Sequence, residues 1–311
     1  MPPCPESAPP EVINYDSAAA LRALLEERGL GMRKKFGQNF LINPGIRKRL
    51  VDALEIGAGE RVWEVGPGLG AMTKELLDRG MNVRAFEIDP GFIGLLKELF
   101  IEKPGFTLVE GDVLKTWHQA DQAEAPAPYL LGNLPYNIGA VLLANFIEEG
   151  RFFKRMIVTV QKEVARRMAA KPGGSDYSSF SVLIGSAYKV SPLMVIGASS
   201  FYPAPRVDSQ GIRLDLRTDM DGRARPPLFY PLVRQLFSSR RKTIKNNLQS
   251  FVSSRIMKGD DPLDIVLPAL EQCGIKPEER AENLTVEQFA ELAEKVFFLT
   301  GKRGEECHDL R

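Results

Sequence analysis

The sequence has little cysteine and still less histidine. Three cysteines, Cys4, Cys273 and Cys307, and two histidines, His118 and His308, are spread over 311 residues. That spacing excludes a disulfide framework, a structural zinc site and a Cys–His nucleophile. Long apolar runs are missing too. None approaches the roughly 18–20 residues a bilayer-spanning helix needs, so no membrane partner is expected. Net charge is nearly absent: 41 Lys+Arg stand against 40 Asp+Glu. A nucleic-acid footprint is usually basic, so this balance argues at first sight against one. The first ten residues carry five prolines and no basic stretch backed by an apolar one. Residues 1–16 therefore read as a disordered tail rather than a signal peptide, and a cytoplasmic location is expected.

What is present is an ordinary globular composition, 44% hydrophobic and 26% charged, long enough for two domains. Ser17 can cap a helix over 18–28, with Gly29 ending it. Apolar spacing suggests a helix over 46–54. Strands at 61–65, 82–86, 106–110, 129–132 and 156–160 alternate with helices at 72–79, 91–100, 141–149 and 161–170. That alternation predicts an α/β fold with a parallel sheet and helices on both faces. Residues 119–128 read as a polar Pro/Ala-rich loop, and 179–188 fits helix or strand equally. Late strands are expected at 194–196 and 211–216. Residues 218–227, rich in Asp, Gly, Arg and Pro, read as a linker. Beyond it the pattern is helical throughout, at 229–238, 241–253, 264–272 and 286–299. The expected division is a domain over 17–217 and a small all-helical one over 228–311.

The strongest local signal is Val62-Trp-Glu-Val-Gly66-Pro-Gly68-Leu-Gly70, followed by Glu87-Ile-Asp89 at the end of the next strand. Glycines between a strand and a helix let backbone approach a ligand closely. An acid about 20 positions on can hold a ribose diol. This leaves nicotinamide cofactors and S-adenosylmethionine to choose between. The dinucleotide fingerprint is G-x-G-x-x-G. Here the glycines are spaced G-x-G-x-G, Ala71 stands sixth, and a pyrophosphate is not required.

Asn133-Leu-Pro-Tyr136 ends the fourth strand, at the carboxyl edge where α/β sheets bind ligands. An exocyclic amine on a nucleobase is a poor nucleophile because its lone pair is delocalised into the ring. A site improves it by accepting both N–H bonds, here with the Asn133 side-chain oxygen and the Leu134 carbonyl. Pro135 fixes the bend and has no N–H to compete. Tyr136 offers a face on which a base can stack.

Glu-x-Gly-x-Gly-x-Gly resembles motif I of the class I S-adenosylmethionine-dependent methyltransferases. Asn-Leu-Pro-Tyr resembles motif IV of the amino-group methyltransferases, in the variant found in the ribosomal RNA adenine dimethyltransferases. Lys35-Phe-Gly-Gln-Asn-Phe-Leu41, Gln161-Lys-Glu-Val-Ala and Phe201-Tyr-Pro-Ala-Pro-Arg-Val-Asp-Ser209 are similar to further segments of that family, in order along the chain. The resemblance runs from about Arg33 to Leu292. It implies a Rossmann-like methyltransferase domain followed by the helical one, with S-adenosylmethionine as cofactor and no metal. It also implies cofactor contacts from Asn39 and Leu41, Gly66 and Gly68, Glu87 with Ile88, Asp112 with Val113, and Asn133. The target adenine would be held by Asn133, Leu134, Pro135 and Tyr136 and covered by Phe201.

Ser239-Arg-Arg-Lys-Thr-Ile-Lys-Asn-Asn-Leu248 and Arg280-Ala-Glu-Asn-Leu resemble the small-subunit branch. That branch dimethylates two adjacent adenines near the 3′ end of 16S rRNA. The implied substrate is a pre-assembled small subunit and the implied enzyme a monomer. An RNA-binding assembly factor with little or no catalysis is the alternative, since relatives with this fold have taken non-catalytic roles. A DNA amino-methyltransferase would more usually carry Asp/Asn-Pro-Pro-Tyr. Three departures stand out. The N-terminal extension is longer, Trp63 replaces an aliphatic residue, and Tyr177-Ser-Ser-Phe-Ser-Val lacks the usual glycine and leucine.

The charge distribution points the opposite way from the net charge. Residues 31–49 carry six bases and no acid, 151–171 seven bases and one acid, and 234–245 five bases and no acid. Residues 258–295 compensate with ten acids and four bases. The three acid-poor runs are expected to contact phosphate.

Overall fold

The structure, a computed structural model, describes residues 13–31, 38–123, 126–136, 138–218, 225–257 and 260–306. The chain divides into two compact units. One comprises the described residues up to Asn145, with Phe153–Ala165 and Ser191–Asp215. The other comprises Phe146–Phe152, Arg166–Val190 and the described residues from Leu216.

The first unit holds nearly all of a seven-stranded sheet of order β4-β3-β2-β5-β6-β9-β7. Its strands are β2 (Arg61–Val65), β3 (Asn82–Glu87), β4 (Phe106–Glu110), β5 (Tyr129–Asn133), β6 (Arg155–Gln161), β7 (Tyr188–Ile196) and β9 (Ser209–Leu216). The run β4-β3-β2-β5-β6 is parallel, as the strand–helix alternation predicts, and β9 returns antiparallel to β6. Both faces of the parallel strands are covered, so they read as continuous apolar runs. Val62, Leu130, Leu131, Ile157 and Val158 are at most 1% exposed. Trp63, the unusual residue of motif I, fills this core between the rings of Phe86 (4.8 Å) and Phe153 (5.4 Å).

Local chemistry sets the helix starts. Ser17 accepts from the Ala20 N–H to open α1 (Ala18–Glu27). Asn43 does the same for α2 (Pro44–Asp52), and Asp89 for α4 (Pro90–Phe100), each with proline in the first turn. Between them lies α3 (Ala71–Asp78).

Three elements differ from the sequence reading. The late strand expected at 194–196 begins six residues earlier, as β7 (Tyr188–Ile196). The expected loop over 119–128 is helical through Ala123, as part of α5 (Val113–Ala123). Val113, Trp117 and Ala120 lie three to four apart and bury one face, while the polar residues between them face outward and mask the period. A two-residue strand β1 (Phe40–Leu41) pairs with β8 (Phe201–Tyr202), 160 positions away. No local pattern marks so short a ladder. Further along the chain come α6 (Gly139–Glu148) and α7 (Lys162–Ala169).

The second unit packs α8 (Ser179–Ala187), α9 (Phe229–Phe237), α10 (Ile244–Ser253), α11 (Leu263–Gln272) and α12 (Val286–Glu306). Phe229, Leu236, Ile244, Leu248, Val266, Phe289 and Leu292 form its fully buried core. The ambiguous 179–188 segment is helical here. Seven of the nine residues of α8 are buried, so it is apolar nearly all round and shows no helical period. Its place is with the C-terminal helices, so Arg166–Val190 falls outside the expected first domain. The unusual Tyr177-Ser-Ser stretch is satisfied locally. Ser178 and Ser181 make a capping box, and the buried Tyr177 hydroxyl donates to the Leu284 carbonyl at 2.9 Å. Most of the linker expected at 218–227 lies outside the described residues. Among the described residues no helix is long and apolar enough to cross a membrane.

Candidate active site

The carboxyl ends of β2, β3, β4 and β5 open on a cavity of about 280 Å³ in the first unit. Its walls are Gly66–Leu69 after β2, Glu87 and Ile88 after β3, Gly111–Val113 after β4, and Asn133–Tyr136 after β5. Gln38–Leu41 close it from the other side. Every residue that the resemblance assigns to the cofactor is therefore on one cavity. Lys35 and its neighbours to Gly37 lie outside the described residues.

The glycine turn allows backbone N–H groups to face an acid. Gly66 and Gly68 hold φ of +71° and +58°, which suits glycine. The Gly68 N–H donates to Glu87 at 3.1 Å, and the Ile88 and Asp89 N–H groups donate to its other oxygen at 2.9 Å. Glu87 is thus fixed at the cavity wall while almost wholly buried. Burial pushes its carboxyl up to about 7, and the three N–H bonds pull the other way. Asp112 accepts from the Leu114 N–H at 3.0 Å, so it both opens α5 and faces the cavity. A diol acceptor, an amine acceptor and apolar Ile88 and Val113 suit the adenosine part of S-adenosylmethionine. The residues present fit that group.

Behind the turn, Glu64 on β2 is fully buried. Thr73 donates to one of its oxygens at 2.6 Å, and the other has no partner. Burial first, then the charge of Glu87, pushes the Glu64 carboxyl up to about 7. Glu64 and Glu87 both bind a proton more tightly folded than unfolded, against an ordinary value of 4.5. That preference favours the folded state most below about pH 4.5 and is lost as pH rises toward 7. Glu64→Gln keeps an acceptor for Thr73 and removes the charge. We expect it to flatten this loss and to stabilise the unliganded protein at pH 8 by on the order of 1–3 kcal/mol. Thermal melts at pH 5 and pH 8 check this, and identical pH profiles for both proteins would count against it.

At the other end the Asn133 side-chain NH2 donates to the Asn39 carbonyl at 2.7 Å. This fixes which end of the amide is the acceptor. The Leu134 N–H bonds back to Thr159, and the Pro135 carbonyl accepts from Ile138 and Gly139 to open α6. The Tyr136 hydroxyl meets Ser209 at 2.6 Å, and Ser209 is fully buried at the start of β9. Burial pushes the phenol up, with the Ser209 bond pulling back. The four-residue motif is therefore braced by Asn39 just before β1, by β6 and by β9.

Phe201 departs from its expected role. It is 3% exposed, packs in the core with Leu41 and Leu131, and is absent from the cavity wall. Its β1–β8 pairing turns the ring into the interior, so it presents no face to a base in this arrangement. Tyr15, Leu21 and Arg47 do line the cavity, and sequence reasoning missed them. Each contributes a lone side chain outside any motif, so no sequence signal could have found them.

The acid-poor runs are also less uniform than they read. Arg47 pairs with Asp16, Arg155 with Asp215 and Glu55, Arg234 with Glu148, and Arg240 with Glu282. Acids remote in sequence thus meet these cations. Lys162, Lys171, Arg241 and Lys242 stand exposed, and Arg33–Lys35 lie outside the described residues.

Comparison with known proteins shows the family of this chain. The family model for ribosomal RNA adenine dimethylase matches residues 29–296. Ribosomal RNA small subunit methyltransferase A of Treponema denticola is 45% identical over 285 residues, covering 91% of this chain and 96% of the relative. A dimethyladenosine transferase from Plasmodium falciparum superposes with a TM-score of 0.68 at 26% identity, covering 84% of this chain and 97% of that one. The 23S rRNA methyltransferase ErmE, at 24% identity and a TM-score of 0.58 over 83% of this chain and 99% of its own, shares the fold. This chain belongs to the ribosomal RNA adenine dimethylase family, enzymes built on the Rossmann-like class I methyltransferase fold.

Proposed function

We propose that this enzyme transfers methyl groups from S-adenosylmethionine to N6 of two adjacent adenines near the 3′ end of 16S rRNA. It does so as a monomer in the cytoplasm, on a pre-assembled small subunit. The observation that carries the reading is the braced Asn133–Tyr136 turn at one end of a cavity whose other walls hold Glu87 and Asp112. The small-subunit target is supported by the name of the Treponema denticola relative and by the Ser239–Leu248 resemblance.

The chemistry follows from the residues. Bound in the cavity, S-adenosylmethionine supplies an activated sulfonium methyl group. Asn133 and the Leu134 carbonyl accept the two N–H bonds of the adenine amine and raise its electron density. Preorganised acceptors of this kind cost no reorganisation at the moment of reaction. Tyr136 stacks the extruded base, and its bond to Ser209 fixes the ring. The amine proton turns acidic as the nitrogen gains its new bond, so no strong base is needed. After the first transfer one N–H remains for one acceptor, and the second must tolerate a methyl group.

Mass spectrometry of small-subunit rRNA from cells with and without the gene tests the reading. We expect N6,N6-dimethyladenosine in the first and unmodified adenine in the second. Dimethyladenosine persisting without the gene would remove the small-subunit assignment.

A further inference from the structure

The cofactor cavity has a wall that belongs to no motif. Tyr15 and Leu21 reach it from the segment that leads into and through α1, and Arg47 reaches it from α2. Arg47 is the one cationic side chain on the cavity wall among the described residues, and it is 6% exposed. A buried guanidinium is costly unless its donors are met by oxygen atoms. Here one terminal nitrogen donates to the Leu41 carbonyl at 2.8 Å and to the Tyr15 carbonyl at 3.5 Å. The other donates to the Asp16 carboxylate. Leu41 belongs to the strand that faces the cofactor, whereas Tyr15 and Asp16 belong to the chain entering α1. One side chain therefore ties both to the same cavity.

Tyr15 shows how far that segment reaches. Its ring is mostly buried, and the Glu64 carboxylate behind the glycine turn adds to burial in pushing its phenol up. Leu21 is 1% exposed and packs with Leu69 of the turn and with Phe92 of α4. The segment is thus seated against motif I rather than laid over the outside of the fold.

We propose that residues 13–21, clasped by the Asp16–Arg47 pair, form an integral wall of the cofactor site, with Arg47 as a positioning residue that sets cofactor affinity. The inference rests on the cofactor reading given above. The cofactor binds the closed wall, so its apparent affinity scales with the fraction of molecules in which the wall is closed. Asp16 is about half exposed and Arg47 is not, so the two ends of the clasp can be broken separately. Asp16→Asn leaves the guanidinium in place on its two carbonyls. Arg47→Leu removes all three contacts, and Arg47→Lys keeps the charge but lacks the fork.

Calorimetry of the full chain with S-adenosylmethionine tests this, alongside melting temperatures and steady-state kinetics. Asp16→Asn is expected to weaken binding about three-fold and Arg47→Leu about ten-fold or more, with Arg47→Lys between them. The change should fall on KM for the cofactor rather than on kcat. The double substitution should be no weaker than Arg47→Leu alone, since both break one clasp. Wild-type affinity in Arg47→Leu, or losses that simply add, overturns the proposal. If Arg47→Leu does not fold, unchanged affinity in Asp16→Asn overturns it, because that exposed substitution leaves the core untouched. A wild-type chain that fails to bind S-adenosylmethionine overturns the cofactor reading itself, a separate result.

Discussion

Asn133→Ala is expected to lower methyl-transfer turnover by about 10²–10³-fold and to change cofactor affinity far less. On the proposed reading the side chain is the acceptor for the target amine, and its NH2 is already committed to the Asn39 carbonyl at 2.7 Å. Truncation removes the acceptor from the transition state, where the nitrogen carries most charge, and so acts on kcat. Tyr136→Ala is expected to have a similar effect by a different route, since on the same reading it removes the face on which the extruded base stacks. Tyr136→Phe is milder, because it keeps the ring and loses only the bond to Ser209. Calorimetry with S-adenosylmethionine run beside methylation assays separates these terms. Equal loss of binding and turnover in Asn133→Ala would place the residue in cofactor binding alone.

Gly70→Ala is expected to cost about 3 kcal/mol or more, which lowers the melting temperature by roughly 6–12 °C in a protein of this size. Gly70 has φ +87°, and a Cβ there would stand 2.4 Å from Phe100 Cε2 and 3.2 Å from Leu96 Cδ2. Phe100 is a core residue, 5% exposed, at the end of α4. The ring shares a buried cluster with Met72, Leu76 and Leu96, so it cannot move aside without opening that packing. Gly66→Ala makes the contrast. It shares a positive φ, but its Cβ would meet nothing closer than 3.8 Å. Its stability cost is the backbone term alone, about 1 kcal/mol. Thermal melts of the two variants should therefore differ clearly, and equal melting temperatures would remove packing as the reason for the third glycine.

The cavity-lining residues were legible because they sit at ends of strands, where short motifs act locally. Gly66, Gly68, Glu87, Asp112 and Asn133 each belong to a turn whose spacing expresses the chemistry it supports. Phe201 was misplaced because its exposure depends on a partner strand, Phe40–Leu41, that carries no period of its own. The loop expected over 119–128 hides a helix for a related reason. Only Trp117 and Ala120 mark the buried face of its second half, and burial is a property of what packs there.

Net charge and charge runs behaved similarly. Residues 234–245 contain no acid, yet Arg234 and Arg240 meet Glu148 and Glu282 in space. Ion pairs form between neighbours in the fold, which a linear count does not see.

By itself the sequence determined the alternating α/β plan and the family, and the two turns it singled out, at Gly66–Gly68 and Asn133–Tyr136, lie on one cavity. Periodicity, capping and turn chemistry act within a few residues, and those features are local. Tertiary structure alone decided that α8 joins the C-terminal helices, that Phe201 turns inward, and that Tyr15 and Arg47 reach the cofactor cavity. Each of these depends on which distant surfaces meet when apolar area is buried, and burial is set by the whole chain at once.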